Sequence, residues 1–400
     1  MLEVLTMIGR ALIGATISGL IHYYVWRRLV RSSQLPRRWH IGISIAFVVL
    51  WISIPVTTWT RNVWPGFSTN FGWISFTWMA LIALTFVAVI AIDLGRLLLW
   101  GGRKVARRPA PEISLSRRTF LARITGGTAL AVGGTSMARG MIEARGTHEI
   151  VDVEIYLTKL PKSLDGFTIV QLSDLHVGLT IDKHFVKRVV DRTNALSPDL
   201  IALTGDFVDG KVEDLRDDIA PLAELRAKHG VYSVTGNHEY YAGVDPWIAE
   251  ISRLGAKYLR NQRVSIGEGA DSFELAGVDD HGARGNGHGE DLAAATANRD
   301  PNRALVLLAH QPRQVRRAAK YGVDLQLSGH THGGQIWPWH YIVSIQQGGL
   351  LAGRYEYEGT QLYVSRGCGY WGPPVRVFAP LEITRVILRS GARPQARAAG

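Results

Sequence analysis

Eight residues between positions 174 and 332 are of types that hold metal ions, and each stands at or just beyond the end of a short apolar run. Leu200-Ile201-Ala202-Leu203 leads through Thr204-Gly205 to Asp206. FTIVQLSDLH delivers Asp174 and His176, and VYSVTGNHE delivers Asn237 and His238. RALVLLAH delivers His310, and VDLQLSGHTHGG delivers His330 and His332. Apolar runs this short suit strands of a parallel sheet buried on both faces. The C-terminal tips of such strands border the crevice where open α/β sheets place their chemistry. Singly, each residue has a plain structural role. Asp174 or Asp206 could cap a following helix, His310 could be a core histidine, and Asn237 a turn residue. Five such tips in one chain are not explained by packing.

Carboxylates mixed with imidazoles suit Mn, Fe or Zn, because imidazole is a poor partner for hard cations such as Mg and Ca. Two such ions about 3.5–4 Å apart form a clamp for phosphoester hydrolysis. A carboxylate between them offsets their repulsion, and Asp206 is the best candidate. A hydroxide held by the metals would attack phosphorus in line, so no protein base is obligatory.

The ordered set D-x-H, G-D, G-N-H-E, H and G-H-x-H resembles the calcineurin-like metallophosphoesterases. GNHE together with GHTHGGQ is most similar to their bacterial branch of membrane-associated or exported phosphoesterases. The resemblance covers roughly residues 150 to 390 and implies an α/β fold, the four-layer αββα sandwich of that family. It implies two divalent metal ions. Asp174, His176 and His332 would complete the first with Asp206; Asn237, His310 and His330 would complete the second. His238 is left unligated, facing the phosphoryl group, to stabilise developing charge or protonate the leaving oxygen. Glu239 and Asp209 are read as supports, not ligands.

The elements that must position these residues follow from periodicity. Helical spacing is expected over 183–196, 213–228 and 246–254, and RVSIGEG with DSFELAGV reads as an antiparallel hairpin. Further strands are expected at 304–309, 323–327, 361–365 and 380–388. The domain is placed at 150–390, with a disordered tail at 391–400. The loop 281–291, with His281 and His288, reads as solvated. IWPWHYIVSI, residues 336–345, reads as hairpin packing or as a wall facing lipid or substrate. Arg366 or Arg376 is a candidate for holding a distal phosphate, and Cys368 reads as a small packing residue.

The chain has 400 residues, 46% of them hydrophobic, and a mean hydropathy of +0.05, high for a chain without a membrane part. Its formal charge of +11 lies at one end. Residues 1–149 carry 17 Lys and Arg against 5 Asp and Glu, and residues 150–400 carry 28 against 29. A nucleic-acid enzyme wants its charge on the binding domain, so that reading is disfavoured. One cysteine excludes an internal disulfide framework.

Residues 1–102 read as a transmembrane region with three spans, at 5–26, 40–59 and 73–100. Eight of the twelve tryptophans lie there, most near span ends. Arg27, Arg28, Arg31, Arg37 and Arg38 follow the first span, only Arg61 the second, and Arg103, Lys104, Arg107 and Arg108 the third. The positive-inside rule then puts residue 103 in the cytoplasm. Asp93 and Arg96, three apart, read as a snorkelling pair. Within 103–149, Ser116-Arg117-Arg118-Thr119-Phe120-Leu121 resembles a twin-arginine export signal, followed by a weakly apolar segment and the small residues Ser136-Met137-Ala138. A crossing here puts the catalytic domain outside a bacterial inner or cell membrane and makes the twin-arginine machinery an expected partner.

The expected function is that of a membrane-anchored phosphohydrolase acting on an envelope or lipid-linked phosphoester. A second enzymatic reading is a UDP-2,3-diacylglucosamine-type pyrophosphatase, whose nucleotide substrate is cytoplasmic. From another class, a membrane binding or sensor protein with a degenerate site is opposed by the complete ligand set.

Overall fold

The computed structural model describes residues 2–60, 64–107, 114–283 and 288–394. Arg61, Arg108, part of the 281–291 loop and the end of the tail lie outside them. The chain divides into two compact units, Met1–Ile142 with Gly372–Val375, and Glu143–Trp371 with Arg376–Gly400.

The first unit is helical: α1 (Leu2–Trp26), α2 (Arg37–Thr60), α3 (Pro65–Val105) and most of α4 (Leu115–Arg145). Among the described residues, α2 and residues 70–105 of α3 combine the length and apolarity of a membrane span. The opening side chains of α1, where the first span was expected, lie outside the described residues. Helix α4 is long enough at 31 residues, but its glycines, threonines and arginines leave it short of that apolarity. Its glycines instead permit close packing. A Cβ on Gly133 would fall 2.4 Å from Thr85 Oγ1, and one on Gly126 3.5 Å from the Leu29 Cα. Arg123 donates to the carbonyl oxygens of Ser33 and Gln34. Asp93 is more than half of a snorkelling pair. Besides Arg96 at 3.5 Å, it takes Arg28 and the Tyr24 hydroxyl.

The second unit is built on twelve strands: β1 (Glu149–Leu157), β2 (Thr168–Leu172), β3 (Leu200–Leu203), β4 (Val231–Ser233), β5 (Ala256–Tyr258), β6 (Gln262–Glu268), β7 (Asp271–Gly277), β8 (Leu305–Leu308), β9 (Leu325–Ser328), β10 (Gly353–Tyr357), β11 (Thr360–Val364) and β12 (Glu382–Ser390). They form two six-stranded sheets, β1-β12-β2-β3-β4-β5 and β10-β11-β9-β8-β7-β6. Strands β2, β3 and β4 run parallel, as do β7, β8 and β9. The expected hairpin is β6–β7, antiparallel from Gln262↔Gly277 to Glu268↔Asp271.

The side-chain alternation of the strands sorts the core. Leu200 and Ala202 of β3 join Val306 and Leu308 of β8 and Leu325 and Leu327 of β9 in one apolar cluster shared by the two sheets. Ile201 and Leu203 point the other way, onto α5 (Lys183–Ala195), α6 (Val212–Ile219) and α8 (Val244–Arg253), the last following a short α7 (Asn237–Ala242). Leu305 and Leu307 likewise join Leu292, Ala295 and Ala318 from helices beyond the second sheet. Burying one such leucine is worth roughly 1.5–3 kcal/mol.

Helix α5 shows how local sequence fixes an element. Asp182 accepts the backbone N–H groups of His184 at 3.1 Å and Phe185 at 3.0 Å, a cap worth about 1 kcal/mol. Its buried residues Phe185, Val186, Val189, Val190 and Thr193 make one stripe. The helix expected over 213–228 is shorter. Regular α structure stops at Ile219 and a 3₁₀ turn, Ala220–Glu224, carries Pro221, whose ring clashes with the preceding turn of an α-helix and removes one of its hydrogen bonds. Residues 340–346 also differ from the expected hairpin: they form a helix.

Candidate metal centre

The five tips meet at the C-terminal ends of the parallel strands. Strands β2, β3 and β4 bring Asp174, His176, Asp206, Asn237 and His238 from the first sheet. Strands β8 and β9 bring His310, His330 and His332 from the second. The tips are stitched by backbone hydrogen bonds: Asp174 N–H to the Gly205 carbonyl at 3.0 Å, and His176 N–H to the Asp206 carbonyl at 3.1 Å.

Backbone conformation turns the side chains inward. Asp174, His176, Asp206, His330 and His332 all have φ between 51° and 72°, a left-handed region that side chains rarely adopt and that clusters at functional sites. Glycine permits the close approach. A Cβ on Gly236 would lie 2.2 Å from Asp206 Oδ1, and one on Gly329 2.2 Å from Asp174 Oδ2.

The ligand-type atoms fall into groups within 4.8 Å: Asp174, His176 and His332; Asp206, His310 and His330; and His176, Asp206 and His238. Asp206 sits between the first two. Its Oδ2 lies 3.8 Å from His176 Nε2 and 3.0 Å from His310 Nε2. Its Oδ1 accepts the His238 backbone N–H at 2.8 Å. His176 Nε2 is 3.0 Å from His332 Nε2, and His310 Nε2 is 3.2 Å from His330 Nδ1. Asp174 accepts the His330 backbone N–H at 2.9 Å.

These residues fit a pair of metal ions. His310 donates from Nδ1 to the Thr204 carbonyl at 2.8 Å, and His176 donates from Nδ1 to Asp209 at 2.9 Å. Each therefore points its Nε2 toward the centre, the orientation that outer partners set for metal-binding histidines. Burial, then the neighbouring His310, pushes His330 down to about 3. Burial, then His176, depresses His332 well below the usual histidine range. Both rings are neutral and available to a cation. Asn237 Oδ1 is buried with no hydrogen-bond partner, a costly arrangement that an ion would relieve.

Charge in the centre is coupled. Burial opposes ionisation of Asp206, but His310 and then His238 and His176 hold it well below the usual carboxylate range. Burial likewise raises Asp174.

Asp209 and Glu239, expected as supports, have specific partners in the site, and Asp280, which the sequence reading missed, joins them. Asp209 takes His176 Nδ1 and, at 2.6 Å, His238 Nδ1 on the same oxygen. Two imidazoles hold it below the ordinary range despite its burial. Glu239 accepts the backbone N–H groups of Asp206, Phe207 and Gly236 at 2.7–3.0 Å, locking the β3 and β4 tips. Asp280, past the tip of β7, is fully buried and held by Gln311 at 2.9 Å and by the Gly282 N–H at 2.7 Å. Burial raises its pKa. The signal for Asp280 was the strand DSFELAGV ending on two aspartates.

Other candidates are already engaged. Arg376 is buried, donating to the carbonyl oxygens of Gly369, Ala379 and His332. Arg366 pairs with Glu382 and Glu149. Neither holds a free guanidinium for a distal phosphate. Cys368 is buried against the Ser173 carbonyl, and burial pushes its thiol up to about 12. His288 meets Arg260 and His281 meets Arg317, and neither belongs to the three groups of ligand-type atoms above.

Residues 167–334 match the family model of calcineurin-like phosphoesterases. The chain is 40% identical over 248 residues to an uncharacterized metallophosphoesterase of Helicobacter pylori, covering 61% of this chain and 65% of that protein. It is 33% identical over 389 residues to a transmembrane protein with metallophosphoesterase domain of Danio rerio, covering 92% of this chain and 86% of that protein. The chain belongs to the calcineurin-like metallophosphoesterases. The family is one of metal-dependent phosphoester hydrolases. Another metallophosphoesterase relative, from Campylobacter jejuni and uncharacterized, is 30% identical over 93% of this chain and 96% of its own. A dimetal phosphatase structure from Danio rerio aligns with 14% identity over 51% of this chain and 88% of that one, at a TM-score of 0.34. Within this metallophosphoesterase, His238 sits beside the two ligand groups with its Nδ1 committed to Asp209. Its ring stands edge-on to Tyr241 and Trp371, with centroids at 5.2 and 5.9 Å.

Proposed function

We propose that this metallophosphoesterase is a membrane-anchored, dinuclear phosphohydrolase acting on an envelope or lipid-linked phosphoester. The observation that carries the reading is the Asp206 carboxylate, with one oxygen facing His176 and His310 at once. Asp174, His176 and His332 would hold one ion with Asp206, and Asn237, His310 and His330 the other. Two divalent ions there would supply Lewis acidity and a nucleophile at neutral pH. Asp209 fixes the His176 and His238 rings. Burial would lower the His238 pKa, but its hydrogen bond to Asp209 and the Asp206 charge raise it to about 9. At neutral pH this imidazolium can donate to the leaving oxygen.

The full chain should hold about two Mn, Fe or Zn ions. It should hydrolyse a phosphomonoester or phosphodiester only with metal present, and chelation should abolish turnover. Metal-independent turnover, or none with any of the three ions, would remove the reading. Hydrolysis confined to a UDP-diacylglucosamine-type pyrophosphate would favour the alternative.

For orientation we place the catalytic unit outside. The basic loops flanking α2 and α3 support this, together with a crossing by α4. Because α4 lacks the apolarity of a span, its crossing would draw on glycine-mediated helix packing and on the twin-arginine-like Arg117-Arg118. Protease added to spheroplasts should cut the catalytic unit. The double variant Arg117→Lys, Arg118→Lys should protect it. Protection of the unaltered chain places the unit in the cytoplasm, on the side of a nucleotide substrate.

A further inference from the structure

Beside the metal centre runs an apolar rim that the fold leaves uncovered. Residues 340–346, HYIVSIQ, form a helix with no buried residue. Tyr341, Ile342 and Ile345 are exposed, Ile345 by 79%. At 100° per residue they make one outward stripe. Trp337, ahead of the helix, donates its backbone N–H to the Val377 carbonyl at 3.2 Å, and the next residue, Phe378, is 82% exposed. Gln335 joins the rim to the site. Its Nε2 donates to the Trp371 carbonyl and its Oε1 accepts the Trp371 N–H, both at 2.9 Å. The exposed Trp371 ring stands against His238. Exposed apolar side chains grouped in this way mark an interaction site.

We infer that this rim docks on the surface of the bilayer and holds the mouth of the metal centre at the level of lipid headgroups. The inference rests on the membrane-anchored reading above and names the surface the site addresses. Three observations favour lipid over a protein partner. Residues 325–355 and 359–381, on either side of Glu356 and Glu358, contain no Asp or Glu, so nothing in these segments repels anionic headgroups. Trp and Tyr beside aliphatic residues are the composition that settles at a membrane interface. The chain also supplies its own bilayer. The span-like α3 ends at Val105 and the first strand of the catalytic unit opens at Glu149, so rim and membrane are held at high effective concentration.

The test uses the full chain in nanodiscs of phosphatidylethanolamine and phosphatidylglycerol, with nitroxide labels on Ile345→Cys, Phe378→Cys and, as the aqueous reference, Lys257→Cys. The native Cys368 is buried, and labelling of the unaltered chain gives its background. Labels at 345 and 378 should collide several-fold more often with oxygen than with a water-soluble nickel chelate, and the label at 257 should do the reverse. Nickel accessibility at 345 and 378 equal to that at 257 overturns the inference. Shielding from both relaxers also overturns it, because it means a protein covers the rim. A second measurement uses Tyr341→Ser with Ile345→Ser, compact polar changes at positions with no buried role. The ratio of turnover on a vesicle-borne phosphoester to that on a soluble one should fall about tenfold. An unchanged ratio counts against docking while leaving metal-dependent hydrolysis intact. The nitroxide result stands whether or not the chain turns over either substrate.

Discussion

Asp206→Asn should strip the protein of both metal ions. The side chain keeps its shape and loses its charge at the point where His176 and His310 converge on one oxygen. If the amide nitrogen takes the Oδ2 position, a donor faces His310 where an acceptor stood. If it takes the Oδ1 position, it opposes the His238 backbone N–H, now accepted at 2.8 Å. Either placement leaves a buried polar group badly paired, at a cost of about 1–3 kcal/mol. Loss of an outer-shell partner alone weakens metal binding 10–100-fold, so loss of the shared carboxylate should exceed 100-fold. Elemental analysis should fall from about two ions per chain to less than one, with turnover following. Retention of two ions would mean that Asp206 does not bridge them. His330→Ala, which removes a member of one group only, should spare the other ion and gives the contrast.

His238→Gln should keep both ions and lose turnover on the order of 10²–10⁴, the range typical of a lost general acid. His238 Nδ1 is committed to Asp209 at 2.6 Å, and its ring faces the open side of the site between Tyr241 and Trp371. A group that acts only as charge develops lowers kcat without a matching rise in KM. The loss should shrink for substrates with good leaving groups, which need little protonation. Equal slowing of good and poor leaving groups would make His238 a stabiliser of charge and not the acid. Loss of an ion would make it a ligand, the role its proximity to His176 and Asp206 leaves open.

The site was legible to the extent that it is written in strand tips. Apolar runs such as LIAL and LVLL announce buried strands, and glycine beside Asp206 and His330 marks where the backbone must turn. Asp209 was legible as a support, but the rings it holds were not, because His176 and His238 stand 33 and 29 residues away, and only the adjacency of β2, β3 and β4 brings them to one oxygen. Arg366 and Arg376 looked free because a sequence does not show that Glu382, Glu149 and a ring of carbonyl oxygens already hold them. The helix at 340–346 was missed for the opposite reason. Seven residues are too few for periodicity to separate helix from strand, and the tryptophans around it suggested packing that the fold does not supply.

The position of β12 bears on the order in which the protein can be made. The last strand lies between the first two, parallel to β1 over nine pairs from Glu149↔Glu382 and antiparallel to β2. While the ribosome adds the roughly 230 residues that separate β1 from β12, about 10–50 s at ordinary elongation rates, β1 has no neighbour and β2 presents an open edge. Such edges invite pairing with other chains. The first sheet must therefore wait for β12 before it can close. A truncation a few residues before Glu382 would leave both edges permanently bare, with every candidate metal ligand already made.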